Sequence, residues 1–498
     1  VLISLVTFAL VILLTATTTA QTHGHQHPDM STFKPRRVPP VQVRFRGELK
    51  PDSSLARGLM EIEFTNRSSD TLADIRMFTG IPIVDPRDST TMVEPPFVHL
   101  DSMLYRGVPL SENELAIDGQ TITVTLPQPL EPGERAFFIM TFESQMDSDN
   151  GRDGVAYAGW YPRVAAYHEG RWYTPTSGMT DRAVPSFADF TVSVGVDSAW
   201  HLVHPGELVN HKEHYGLLPP AHDDSIYVDI VHQHQQSYAG MKYTPVFEHG
   251  KKTYFIRSHN TIDFNVFAQK GLLRDRAYVD SLTIEVCYPP ELADVWAGVV
   301  AKDAARMVRR LQTRLGMFPL KHLRIAPSRI YRVQVFSRNL LLTLYDPMEP
   351  SLYLATLAHN LTPCWFSPGL SDSADQLPYQ RGLEYYTTLN LIYDISGREG
   401  FSMIEGHESM WKSFDRNERI TKHVEPWLRT VPRMLCGVEA QVGDSVLWDA
   451  IGSWSQDHRF ELRTNEDLRA WLDSLPQLET ATDSCAVSPV LHTLWEER

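Results

Sequence analysis

The chain is short of cysteine, of basic charge and of long internal apolar runs, and each shortage closes off a class of protein. Four cysteines in 498 residues, Cys287, Cys364, Cys436 and Cys485, are too few and too widely spaced for a disulfide framework. They read as buried thiols, with room for one bridge. Beyond the first twenty residues, no apolar run approaches the roughly 20 residues that a bilayer-spanning helix needs, so no transmembrane span is expected in the mature chain. A formal net charge of −15 offers no basic face to nucleic acid or to an anionic membrane. Neither is expected as a partner. No G-x-S-x-G elbow is present, which leaves no ground for a Ser/His/Asp site. No internal repeat is evident.

What is present fits an ordinary globular protein, with 42% apolar and 21% charged residues. The length allows two or three domains, each with its own core. The first twenty residues, VLISLVTFALVILLTATTTA, form an apolar run ending in small residues. We read it as an export signal cut after Ala20, which places the protein in the periplasm or outside the cell. No cysteine follows to carry a lipid, and the alternative is a short membrane anchor. Residues 21–40 are polar and proline-rich and predict a flexible leader. Its His23, His25 and His27 lack Cys or carboxylate partners and read as part of a solvated tail.

From about 41 to 270 the pattern has period two. Met60, Ile62 and Phe64 alternate with Glu61, Glu63 and Thr65. Ile122, Val124 and Leu126 do the same, as do Phe190, Val192, Val194 and Val196. Half-buried strands at this density predict a large antiparallel β-domain, placed at 41–272. After about 275 the period becomes helical. Leu292, Val295, Trp296, Val299, Val300, Met307, Val308, Leu311 and Leu315 form one stripe, stopped by Gly316. A short strand at 322–327 and an apolar segment at 340–346 follow, then helical patterns from 379 to 476. The second domain is placed at 273–476 and a tail at 477–498. The fold class is therefore multidomain α+β.

The informative stretch is 355–386, ATLAHNLTPCWFSPGLSDSADQLPYQRGLEYY. It resembles a gluzincin active centre, which reads H-E-x-x-H on one helix, then eighteen residues, then Glu-Gly on a second. Histidines four apart share a helical face and aim two imidazoles at one zinc ion, which the distant Glu completes. The Glu beside the first His activates the zinc-bound water. Here His359 holds the first position, Asn360 the general base, Pro363 the second His, and Arg381, before Gly382, the third ligand. The gap is one residue shorter than the family's, so a strict count puts Gly382 at the ligand position.

Other fragments in the same order resemble the membrane alanyl aminopeptidase family of zinc metallopeptidases. GWYPRVAAYHEGRWY (159–173), FADFTVSVGV (187–196) and IDFNVFAQ (262–269) resemble its β-domain segments. LGMFPLKHLRIAPS (315–328), AHNLTPCWF (358–366) and QRGLEYY (380–386) resemble segments of its catalytic domain. The resemblance implies an N-terminal β-saddle domain followed by a mainly helical, thermolysin-like domain. It also implies zinc as the family's cofactor, and the replacements predict that the zinc is lost. Asn360 cannot take a proton from water at neutral pH. Pro363 removes an imidazole and, lacking an N–H, predicts a kink or an end to the helix. The family's substrate-amine Glu falls on Arg338, and its intermediate-stabilising Tyr on Leu428, beside Trp427. Losing such an oxyanion donor alone costs on the order of a hundredfold in rate.

A substitute metal site from Cys364, Asp372, Asp375 and Glu384 is not expected, because His359 and Cys364 at i, i+5 diverge around a helix. The candidate cleft-binding residues are Arg338, His359, Arg381 and Glu384. Arg381 either pairs with Glu384 at i+3 or joins Arg338 in holding an anion. The expected function is an inactive aminopeptidase-like protein that binds a peptide or protein through the degenerate cleft or the saddle. The alternatives are an active peptidase with a rebuilt metal site and a structural partner of an active relative.

Overall fold

Alternation of side chains along each strand decides the architecture of the first half. In the Leu55–Thr65 strand, Ala56, Met60, Ile62 and Phe64 are buried while the residues between them are partly exposed. A strand with that pattern must lay one face on a core. The computed structural model describes residues 38–475 apart from 82, 85–95, 112, 147–153, 176–182, 211–227, 233–236, 239–240, 243–249, 329–339, 345–349, 367–368, 371–379, 406–430, 432–434, 436 and 440–441. The export-signal reading, the three leader histidines and the tail after 476 lie outside the described residues. From Pro39 onward the chain clusters as one unit.

The largest sheet has nine strands. Its spatial order is Glu207–Leu208, Lys251–Thr261, Ala188–Asp197, Val41–Lys50, Leu55–Thr65, Arg135–Gln145, Phe97–Tyr105 and Ile83–Val84, with Val108–Pro109 on the flank of Phe97–Tyr105. Most pairs are antiparallel, as the alternation predicts. Two are not: Val41–Lys50 runs parallel to Ala188–Asp197, and Ile83–Val84 parallel to Phe97–Tyr105. A parallel pair needs a long connection rather than a hairpin, and more than half of the β-region lies between the first two. Smaller sheets complete this half, among them Gly154–Tyr157, Val266–Lys270 and Trp200–Val203. One apolar cluster runs through it, from Val41 to Ala268.

The second half is built on a five-stranded mixed sheet of Val228–His232, Leu273–Val279, Leu282–Tyr288, His322–Ser328 and Leu340–Leu344. Among the described residues, its helices include α1 (Ala293–Trp296), α2 (Val299–Leu315), α3 (Pro350–Leu361), α4 (Gln380–Glu405), α5 (Asp444–Asp457) and α6 (Asn465–Ser474). Sheet thus takes a larger share of this half than helical periodicity alone implies. A second apolar cluster joins sheet and helices, from Ala277 to Leu475.

The long stripe is corrected in one respect. Val295 and Val299 are 42% and 47% exposed rather than buried. Gly298, at φ +70°, breaks the chain between α1 and α2, so the helical phase restarts there. Gly316 ends α2 at φ +79° as expected. Cys287 and Cys364 are buried free thiols. Among the described residues, no helix is long and apolar enough to cross a membrane.

Candidate functional site

The segment from α3 to α4 carries the candidate site, and its local geometry follows from Pro363. The α-helix stops at Leu361, and Thr362–Cys364 turns as a 3₁₀-helix with Pro363 in its first turn. Proline has no N–H for the carbonyl of His359, so the i→i−4 ladder ends there. The hydroxyl of Thr362 donates to the Ala358 carbonyl at 2.9 Å, and the Cys364 thiol to that of Asn360 at 3.7 Å. Trp365 follows, fully buried. Its Nε1 donates to the Gly316 carbonyl at 2.8 Å, and its own carbonyl accepts from Ser455 Oγ at 2.9 Å. Phe318 meets the Trp365 ring edge-on, with centroids 4.9 Å apart. The turn is pinned to the ends of α2 and α5.

Opposite it, α4 begins with Arg381 in its first turn. Gly382 is there because a Cβ at this position would lie 2.6 Å from the Cβ of Val431, which is buried. Arg381 Nη1 pairs with Glu384 Oε2 at 3.2 Å, one helical turn on. The Arg381 side chain is half exposed and that of Glu384 nearly buried. Two residues further, Tyr386 donates from its hydroxyl to Glu439 and stacks on Trp448 at 5.5 Å.

The fold therefore brings His359 and Arg381 within electrostatic reach of each other. Burial, and then the positive charge of Arg381, bring the His359 imidazole down to about 4. At neutral pH it carries no charge. Asn360, beside it, is 1% exposed. Arg338 and Leu428 lie outside the described residues, as do Trp427, Asp372 and Asp375, so the geometry speaks only for His359, Asn360, Pro363, Arg381 and Glu384.

The residues that the resemblance assigns to the three ligand positions, His359, Pro363 and Arg381, do not fit a zinc donor set. They offer one imidazole, one proline ring and one guanidinium, and a guanidinium is itself a cation that donates rather than accepts. Among the described residues, no three His, Cys, Asp or Glu side chains converge as a metal-binding group.

The fragments that carry the family resemblance meet one another in space. Trp160 Nε1 donates to the Phe264 carbonyl at 3.1 Å, and the Tyr161 hydroxyl to Asp263 at 2.9 Å. The backbone N–H of Gly159 donates to Asn265 Oδ1 at 3.0 Å. In the adjoining strand, Asp189 Oδ1 accepts from the backbone of Asn260 at 2.9 Å.

No family model and no curated protein matches the chain. Solved structures do. An M1 zinc metallopeptidase from Deinococcus radiodurans is similar at a TM-score of 0.52 and 15% identity, over 90% of this chain and 97% of that one. A mutant of that enzyme bound to a Tyr-Ser-Ala substrate is similar at 0.54 and 15%, over 89% and 92%. Aminopeptidase A from Legionella pneumophila is similar at 0.56 and 12%, over 90% of this chain and 49% of that one. The chain shares its fold with M1 zinc metallopeptidases. At such identities the likeness speaks for the fold, and chemistry has to be argued from the residues.

One group of polar residues escaped the motif reading. Arg274, Arg276, Glu285 and Arg324 are buried on strands of the mixed sheet, with Lys252, His201 and His204 beside them. The signal was available: LRDRAYV carries three consecutive charges, and LTIEVCY a single glutamate amid largely apolar residues.

Proposed function

We propose that this chain is a catalytically inactive aminopeptidase-like protein, exported to the cell envelope, that binds a peptide or protein through its degenerate cleft or its β-saddle. In this reading the saddle domain spans 41–272 and the thermolysin-like, mainly helical domain 273–476. Zinc is not its cofactor. The observation that supports this reading is the positive charge of Arg381 acting on His359, and by the resemblance Arg381 stands in the third ligand's place. A bound Zn²⁺ would have to displace the Arg381–Glu384 pair, accept a single imidazole and do without a general base. The apolar run at the start of the chain supports export.

The test is hydrolysis of a panel of aminoacyl fluorogenic amides by the purified chain, with zinc supplied. The expected rate is that of buffer. A rate proportional to protein, abolished by a chelator and restored by zinc, would establish the rebuilt-site alternative instead.

A further inference from the structure

We draw no further inference here: the strongest candidate, the open groove on the outer face of the nine-stranded sheet lined by Glu48, Arg57, Asp101 and Glu143, carries nothing, because Glu48 is already paired with Arg57 and Lys251 and, among the described residues, no buried and unpartnered polar side chain lines it to mark a ligand.

Discussion

The turn at Trp365 and the ligand positions at His359 and Arg381 belong to the same pair of helices, yet they obey different rules. Trp365 fills a buried slot, donates to the Gly316 carbonyl and receives Ser455 on its own. Gly382 leaves room for Val431. These residues resemble the gluzincin pattern, and each has a packing reason to. Asn360, Pro363 and Arg381 depart from it, and of these Arg381 is half exposed and paired with Glu384 rather than packed in the core. The lesson is that packing and chemistry are separable loads on one motif. A fold can keep the first while the residues of the second are replaced.

The comparison is broken most severely at Trp365. Trp365→Ala removes a fully buried indole and its hydrogen bond, and is expected to cost about 3–5 kcal/mol in denaturant unfolding. Next comes Gly382→Ala. The new methyl meets the buried Val431 side chain at 2.6 Å, so α4 and Val431 must part, at roughly 1–3 kcal/mol. A value near zero would mean that α4 is not held against Val431.

The smallest stability effect belongs to the chemical position itself. Arg381→Ala removes a half-exposed pair and is expected to change stability by less than about 1 kcal/mol. Its diagnostic effect is on His359. With the neighbouring charge gone, the imidazole is expected to titrate above its present value of about 4, read by NMR over pH. The sign for stability follows. A histidine held near 4 in the folded chain and near 6.5 in the unfolded one is better protonated when unfolded, so stability falls as pH drops through that window. Removing Arg381 narrows the window. An unchanged titration would mean that burial alone sets the His359 value.

Much of the fold was legible in the chain. Met60, Ile62, Phe64, Ile122, Val124, Phe190, Val192, Val194 and Val196 read as inward-facing strand positions and are buried. Period two is a direct print of the pleat. The parallel pairing of Val41–Lys50 with Ala188–Asp197 was not legible, because alternation reports which face is buried and not which strand lies alongside. Val295 and Val299 were misplaced because one glycine reset the helical phase. At the site, spacing offered two readings of Arg381, and the i+3 pair with Glu384 is present. The effect of Arg381 on His359 was not legible, since it depends on how α3 and α4 approach. The buried row Arg276, Glu285 and Arg324 joins three strands whose pairing only the folded chain reveals.

The central claim concerns the metal. Tag-free protein is dialysed against excess zinc, washed, and its zinc content per chain measured by elemental mass spectrometry. One imidazole beside a guanidinium predicts less than a tenth of an equivalent retained. One tightly held equivalent would mean that a set of donors exists in this chain, and would contradict the account.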